Sequence, residues 1–306
     1  MLRLLPLALI AVSTVSMSQT PPPAPAVPAP AALLTWPDLT KRPQPAPDAT
    51  IDYGIDALQK VDVWLPAGRG KHPVVVMVHG GCWTTSIADR RLMNWIADDL
   101  RRDGIAVWNV EYRGVDKSGG GYPGTFLDAG AAADALRTHA AQFHLDTKRI
   151  VVVGHSAGGH LALWLAGRSR IAPTSPLYTA HPLKIARVVS LGGLPDLEAT
   201  AASPDNGCGV EVVAQLVGKP GARADVYADT SVPRLLPLGV PQDLVNGRED
   251  KIIPVRLGTD YVAAAQAKGD RATLHLVERT GHVELIAPES AAWAQAKTLI
   301  KAGLKK

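Results

Sequence analysis

The feature that most constrains the fold is a regular alternation of strand and helix patterns from residue 60 onward. Strand patterns alternate apolar and polar residues or run as β-branched stretches, whereas helix patterns space apolar residues three and four apart. The predicted strands are KVDVWLP, HPVVVMVHGG, IAVWNVEY, RIVVVG, IARVVSLGG, VPQDLVNG and ATLHLVE. The predicted helices cover residues 89–103, 124–143, 156–169, 254–268 and 288–301. This order predicts an α/β fold with a mostly parallel sheet and helices on both faces.

The alternation lapses between Leu194 and Val240, where the chain has one short helical piece and many turn residues. Open α/β sheets bind their ligands at the carboxyl ends of the strands. We therefore predict a small lid insertion over that edge, at about residues 194–239.

The first 49 residues differ in composition from the rest. Arg3 precedes a nine-residue apolar stretch, residues 4–12, and small polar residues follow. This layout predicts a signal peptide at 1–18, because the stretch is too short to span a bilayer; an uncleaved membrane anchor is the alternative. Residues 19–49 are rich in Pro and Ala and predict an extended tether. The catalytic domain is then 50–306, exported to the periplasm or medium, with no stable membrane span after processing.

Charge and motifs narrow the range of partners. The formal net charge is +4, but no long basic run or aromatic-basic pattern accompanies it, so we expect no nucleic-acid binding. The chain has neither an H-E-x-x-H motif nor a P-loop, and we expect no metal or nucleotide cofactor. Nothing in the sequence indicates the oligomeric state.

The stretch GHSAGGH at 154–160 follows a β-branched run and opens a helical pattern. A nucleophile at the tip of a sharp strand-to-helix turn needs neighbours without a Cβ at two positions before and after it. Gly154 and Gly158 meet this requirement around Ser156. The stretch therefore predicts a nucleophile elbow that exposes Ser156; a Gly-rich packing turn is the alternative.

A serine hydroxyl needs a general base near neutral pH. His282 is the best candidate, since it lies in a loop after the last predicted strand. His155 is expected to point away from the elbow and His160 to lie one helical turn further on, so both are interpreted as structural.

The base in turn needs a carboxylate to orient it. Glu249 and Asp250 lie in a loop that ends a predicted strand, 33 and 32 residues before His282. Chemistry alone does not choose between these two acids.

Backbone amides near the serine can stabilise an oxyanion. The VHGGCW stretch at 78–83 ends a buried strand in glycines, which leave N–H groups free, and Ala157 follows the nucleophile. The alternative for HGG is a simple strand-ending turn.

The chain resembles the α/β-hydrolase superfamily from about residue 60 to 300. The resemblance is carried by the motifs HGGCW, GHSAGGHLA, GREDKIIP and GHVELI. The resemblance extends to its esterase branch, with arylformamidases (kynurenine formamidases), feruloyl-esterase-like hydrolases and hormone-sensitive-lipase-like carboxylesterases. It implies Ser156 as nucleophile, His282 as base and Asp250, rather than Glu249, as acid. It also implies an oxyanion hole formed by the amides of Gly81, Cys82 and Ala157.

Many relatives have a third Gly or an aromatic residue at the position where this chain has Cys82. Its amide can still serve the oxyanion, while its thiol either lines the site or is joined to Cys208 in the lid. A disulfide would pin the lid beside the oxyanion loop, and two unrelated buried thiols are the alternative. Trp83 and Tyr122 are expected to line the acyl or leaving-group pocket, unless they pack in the core or lid.

The sequence thus predicts an exported serine hydrolase with a Ser-His-Asp triad. It would cleave small-molecule carboxylic esters of small acyl groups through an acyl-enzyme. The alternatives are an arylformamidase-like amide hydrolase, a prolyl-oligopeptidase-like peptidase and, on the same scaffold, a non-catalytic binding protein.

Overall fold

The computed structural model describes residues 32–219 and 221–305, and its centre is an eight-stranded sheet. Every strand predicted from the sequence is present, and one further strand precedes them. The strands are β1 (Ala49–Asp52), β2 (Lys60–Trp64), β3 (His72–Val78), β4 (Ala106–Val110), β5 (Leu145–His155), β6 (Arg187–Leu191), β7 (Gln242–Gly247) and β8 (Ala272–Val277).

The strand order is β1-β2-β4-β3-β5-β6-β7-β8. β2 pairs antiparallel with both β1 and β4, and all pairs from β4 to β8 are parallel. The carboxyl ends of β3, β5, β6, β7 and β8 therefore meet at one edge, where α/β sheets bind ligands.

Helices cover both faces of this sheet. They are α1 (Trp36–Thr40), α2 (Asn94–Arg102), α3 (Gly124–His139), α4 (Ala157–Gly167), α5 (Leu197–Ala201), α6 (Glu211–Val217), α7 (Val255–Ala267) and α8 (Ala291–Gly303). Along β3, Val74 and Val76 pack with residues of α3, α4 and α7, whereas Val75 and Met77 pack with α2 and α8. The central strands are buried on both sides, as their continuous β-branched sequence predicts, and the predicted α/β architecture is confirmed.

The domain boundary predicted at residue 50 is wrong, because the compact unit begins at Leu33. Residues 33–49 contain α1 and the first residue of β1, and Leu39 is fully buried against α2 and α8, so this stretch is not a tether. The predicted signal peptide, 1–18, and the first part of the predicted tether lie outside the described residues. Among the residues that are described, no helix is both long and apolar enough to cross a membrane.

The lid insertion contains more regular structure than the single helical piece predicted. It holds α5, α6 and a 3-10 turn at Val232–Leu235. Within the insertion, the Asp229 carboxylate accepts a hydrogen bond from Arg223 Nη1 at 2.7 Å. It also accepts one from Tyr122 Oη at 2.9 Å, which connects the insertion to the loop before α3. Such short helices depend on tertiary contacts, which local sequence patterns do not reveal.

Candidate active site

Ser156 lies in the turn between β5 and α4, as the G-x-S-x-G pattern predicts. Its φ is 54° and its ψ is −124°, a strained conformation for a residue with a side chain. A Cβ on Gly154 would lie 1.9 Å from the carbonyl oxygen of Gly158, and one on Gly158 would lie 2.2 Å from that of Val78. Only glycine fits at either position. Ser156 lies on a cavity wall and is 3% exposed as a whole residue, so it does not project into bulk solvent as predicted.

His282 and Asp250 meet because β7 and β8 are parallel neighbours whose following loops start at the same edge. His282 Nδ1 lies 2.6 Å from Asp250 Oδ2, and both side chains are buried. The other oxygen, Oδ1, accepts the backbone N–H groups of Ile252 and Ile253 at 2.8 and 3.0 Å. Nδ1 therefore carries the ring proton, and Nε2 is left as the basic nitrogen.

Glu249, the other candidate acid, takes a different role. Its Oε2 accepts the backbone N–H of Thr280 at 2.9 Å and belongs to the packing of the two loops. That hydrogen bond is the largest influence on the Glu249 carboxyl group, and its pKa is lowered. The geometry therefore agrees with Asp250 as the partner of His282.

The loop after β3 has an unusual backbone. Gly81, Cys82 and Trp83 have successive φ values of 102°, 52° and 53°. A turn hydrogen bond from Thr84 N to the Gly81 carbonyl, at 2.8 Å, and one from Val115 N to the Trp83 carbonyl, also at 2.8 Å, hold this shape. Within the described ranges, the amides of Gly81, Cys82 and Ala157 donate no hydrogen bond, so they can serve a ligand.

A disulfide joins Cys82 to Cys208, across 126 residues of sequence. It connects the loop after β3 with the lid insertion, as one of the two alternatives from the sequence requires. Cys82 and Gly207, the neighbour of Cys208, both line the cavity at Ser156. The lid is thus covalently fixed beside the candidate oxyanion loop.

Four of the candidate residues share one cavity of about 330 Å³. Ser156, His282, Gly81 and Cys82 all line it, and the remaining lining residues are Trp36, Thr40, Ile87, Ala88, Leu92, His155, Gly207 and Ile252. Apart from the two imidazoles, none of these described lining side chains is ionisable. A larger cavity of about 650 Å³ contains none of the candidate residues. The site is a small apolar pocket with its polar groups gathered around Ser156.

His155 does not point away from the site as expected. Its ring centroid lies 4.4 Å from that of His282, and its Nε2 lies 3.2 Å from the His282 carbonyl oxygen. Burial, reinforced by the neighbouring His282, holds the pKa of His155 well below its ordinary value. His155 is therefore a neutral ring packed against the candidate base.

His160 has the structural role that the sequence predicts. Its Nδ1 accepts the Trp83 indole N–H at 3.3 Å, and its Nε2 lies 2.9 Å from the Thr230 carbonyl oxygen. These partners require a neutral ring that is protonated on Nε2. Burial lowers the pKa of His160 to about 4.

The prediction that Trp83 and Tyr122 line the pocket is wrong. Trp83 is fully buried in the core beside α4, where its indole contacts His160. Tyr122 packs under the Arg223 guanidinium, whose central carbon is 3.4 Å from the ring centroid, and donates to Asp229. Both residues support the loops around the site, which is the packing alternative.

Trp36 and Thr40 line the pocket, although the sequence patterns did not predict them there. They lie in the stretch assigned to the tether, but TWPD at 35–38 carries a helix-start signal. The backbone N–H and the hydroxyl of Thr35 contact Asp38 Oδ2 at 2.7 and 2.6 Å, and Pro37 occupies the first turn. This capping box is the local sequence signal that indicates a helix.

No cluster of three or more His, Cys, Asp or Glu side chains that could hold a metal ion occurs in 32–219 or 221–305. The ionisable groups of the site are paired with one another or with backbone. Its chemistry is that of a hydroxyl, an imidazole, a carboxylate and free amides.

Comparisons with curated proteins identify esterases as relatives. Esterase LipC of Mycobacterium tuberculosis (strain ATCC 25618 / H37Rv) is 27% identical over 228 residues, which are 70% of this chain and 54% of LipC. Carboxylesterase NlhH of the same species (strain CDC 1551 / Oshkosh) is 32% identical over 141 residues, 44% of this chain and 43% of NlhH. The chain thus spans about half the length of these curated relatives.

Solved structures share the fold. A truncated carbohydrate esterase from gut microbiota matches with a TM-score of 0.72 and 19% identity, over 85% of this chain and 98% of that one. A bacterial heroin esterase matches with a TM-score of 0.66 and 24% identity, over 84% of both chains. A family model described as BD-FAE matches residues 61–263, more than half of the chain. The chain therefore has the α/β-hydrolase fold and belongs to the BD-FAE family.

Proposed function

We propose that this protein is a serine hydrolase that cleaves carboxylic esters of small acyl groups through an acyl-enzyme. The observation that carries the proposal is the Asp250–His282 pair, whose Oδ2 and Nδ1 are 2.6 Å apart, with His282 lining the same pocket as Ser156. A hydroxyl, a base and an orienting carboxylate are the three parts of a catalytic triad. The esterase names of LipC and NlhH support ester substrates.

In the first half of the reaction, Ser156 Oγ attacks the ester carbonyl carbon while its proton moves to His282 Nε2. Asp250 holds the ring through Nδ1 and stabilises the imidazolium that forms. The carbonyl oxygen becomes an oxyanion, which the free amides of Gly81, Cys82 and Ala157 bind. When the intermediate collapses, the imidazolium proton goes to the leaving oxygen, and the alcohol departs.

In the second half, water attacks the acyl carbon of the ester at Ser156. His282 Nε2 takes a proton from this water, and the same amides stabilise the second oxyanion. Collapse breaks the bond to Ser156 Oγ, which recovers the proton from His282. The carboxylic acid is released, and the enzyme returns to its starting protonation state.

The test is hydrolysis of p-nitrophenyl acetate by wild type and by Ser156→Ala. Loss of a triad serine lowers kcat by about 10⁶-fold. The kcat of Ser156→Ala should therefore be negligible compared with that of wild type. Ser169→Ala, an exposed serine that lines the 650 Å³ cavity instead, is the matched control and should keep wild-type activity. Equal rates for wild type and Ser156→Ala would overturn the proposal.

The finer assignment within the esterase branch needs a substrate series. Methyl ferulate tests the feruloyl-esterase-like reading, an N-formyl aromatic amine tests the arylformamidase-like reading, and an N-acyl amino acid anilide tests peptidase chemistry. We expect the small-acyl ester to have the highest kcat/KM, because the cavity at Ser156 is only about 330 Å³. The presence of Ser156 and of His282 paired with Asp250 favours catalysis over a purely binding role.

We also propose that the protein is exported. The signal-like residues 1–18 and the disulfide Cys82–Cys208 support this location, since disulfides persist in oxidising compartments. Fractionation of cells that express the full chain tests it: we expect a mature form without residues 1–18 outside the cytoplasm. A full-length form confined to the cytoplasm would contradict export.

A further inference from the structure

Residues 33–42, which we call the N-terminal strap, run over the edge of the candidate active site. Helix α1 lies within the strap and begins with the capping box between Thr35 and Asp38. Leu39, on this helix, is fully buried in the core formed with α2 and α8. The strap is therefore packed onto the domain, and its position relative to the site is defined.

Two carboxylates anchor the strap at its ends. Arg42 Nη1 and Nη2 donate to the two oxygens of Glu289, at 2.9 and 2.6 Å. At the other end, the backbone N–H of Leu34 donates to Glu284 Oε1. Glu284 Oε2 accepts the N–H of Gly281, at 3.0 Å, directly before His282. One buried carboxylate thus links the strap to the loop that carries the candidate base.

Trp36 is the strap residue that reaches the catalytic groups. Its indole meets the rings of His155 and His282 edge-on, with centroid distances of 6.1 Å in both cases and interplanar angles of 76° and 79°. Such edge contacts are favourable between aromatic rings and fix their relative orientation. Trp36 is therefore packed against the candidate base itself.

The same indole lies between two cavities. One is the pocket of about 330 Å³ that contains Ser156. The other, of about 350 Å³, is lined by the strap and by the loops that follow β7 and β8, and it does not contain Ser156. Their shared lining residues are Trp36, Ile252 and His282. Trp36, Ile252 and His282 thus lie on the boundary between the two spaces, and Trp36 and Ile252 are the two of these residues that the proposed reaction does not use.

The lining of the first cavity indicates which acyl groups it accepts. Ile87, Ala88, Leu92 and Ile252 give it an apolar surface, and none of the lining residues in 32–219 and 221–305 carries a carboxylate, ammonium or guanidinium group. An ionised acyl chain would lose its hydration there without gaining a partner. The volume lies at the low end of the range of about 300–1,000 Å³ for small-molecule pockets.

We propose that Trp36, together with Ile252, determines acyl specificity: the indole closes the Ser156 cavity against its neighbour and restricts the substrate to esters with a short, uncharged acyl chain. This inference rests on the proposed ester hydrolysis and specifies its substrate class. Replacing either side chain with Ala removes part of the partition and joins the two cavities. Longer acyl chains should then fit.

The test compares kcat/KM for p-nitrophenyl acetate, butyrate and octanoate in wild type, Trp36→Ala, Trp36→Phe and Ile252→Ala. Wild type should prefer the shorter esters. In Trp36→Ala and Ile252→Ala the octanoate-to-acetate ratio should rise by about tenfold or more, the effect expected when a hydrophobic pocket gains room. Trp36→Phe should fall in between. Tyr178→Ala, an aromatic residue that is 44% exposed and lines neither cavity, should keep the wild-type ratio.

A parallel loss of activity on all three esters in both Ala variants would overturn the proposal, because a merely structural role lowers kcat without changing the ratio. Since Trp36→Ala can affect folding of the strap, Ile252→Ala provides an independent variant in the domain body. Far-UV circular dichroism of each variant confirms that rates are compared between folded proteins.

A binding measurement separates this inference from the proposed function. The same esters are titrated into Ser156→Ala and into Ser156→Ala combined with Ile252→Ala, where they bind without turnover. The second variant should bind the octanoate ester more tightly, relative to the acetate ester, than the first. An unchanged ratio of Kd values would contradict the partition. If wild type cleaves none of the esters, the proposed function fails, and this titration still decides whether the partition exists.

Discussion

Asp250 Oδ2 lies 2.6 Å from Nδ1 of His282, although 32 residues separate the two in sequence. The pair forms because β7 and β8 are adjacent and parallel, which places the loops after them side by side. Asp250 is itself held by two backbone amides, those of Ile252 and Ile253. The carboxylate is therefore fixed before it orients the imidazole, as a preorganised site requires.

Asp250→Asn should lower kcat on p-nitrophenyl acetate by about 10⁴-fold, because an amide in this place favours the wrong tautomer of the base. Glu249→Gln is the matched control: its carboxylate accepts the Thr280 amide at 2.9 Å, and the described His282 ring pairs with Asp250 instead, so kcat should stay near the wild-type value. Steady-state kinetics of the two variants decides between the acids. Equal losses in both variants would remove the distinction.

The disulfide should contribute strongly to stability. Cys82 and Cys208 close a loop of 126 residues, and cross-links across loops of this size stabilise by about 5 kcal/mol in the chain-entropy account. Urea unfolding of Cys82→Ser/Cys208→Ser should show this loss relative to wild type. Dithiothreitol should lower the stability of wild type by a similar amount and leave the double variant unchanged. Equal stability of all forms would contradict the prediction.

Stability should fall below neutral pH, in part because of His160. Its folded pKa of about 4 lies below the unfolded value of 6.5, so the unfolded chain binds the proton more readily. The neutral His160 ring contributes fully to the free energy of unfolding above pH 6.5, and this contribution is lost as the pH falls toward 4. From pH 7 to pH 5 wild type should lose about 2 kcal/mol that a His160→Gln variant retains. Urea unfolding of both at the two pH values tests this, and parallel losses would contradict it.

Gly158 should not tolerate a side chain. An added Cβ would lie 2.2 Å from the backbone oxygen of Val78, so β3 or α4 would have to move. We expect Gly158→Ala to lower the free energy of unfolding by about 3 kcal/mol or more. Gly258→Ala, in α7, is the control: the nearest atom, Asn246 Oδ1, would be 3.3 Å away, and helix propensity favours Ala by about 1 kcal/mol. Similar stability of the two variants would refute the steric account.

The parts of this protein that the sequence predicts are those with local signals. The β-branched runs identify the buried strands, and the two glycines around Ser156 identify the elbow, because each reports a constraint on its own segment. The choice of Asp250 over Glu249 required a family resemblance, since both acids lie in the same loop. The direction of each side chain in that loop depends on hydrogen bonds to Ile252 and Thr280.

The residues whose positions the sequence does not predict are held by contacts with segments that are distant in sequence. Trp83 is next to the oxyanion loop, but the positive φ at Cys82 and Trp83 and a bond to His160 direct its indole into the core. Trp36 follows a Pro/Ala-rich stretch, and its place in the pocket is set by Leu39 and by Glu284, which lies 250 residues from its partner Leu34. A local pattern does not contain such pairings.

The central claim is that Ser156 is the nucleophile of a triad, and covalent labelling tests it most directly. An alkyl p-nitrophenyl phosphonate carries a leaving group that Ser156 Oγ can displace, which forms a stable bond to phosphorus. Mass spectrometry of digested wild type should find a single phosphonyl group, on the peptide that contains Ser156. Labelling should be absent in Ser156→Ala and much slower in His282→Ala. No label on wild type, or a label elsewhere that forms equally fast in Ser156→Ala, would contradict the account.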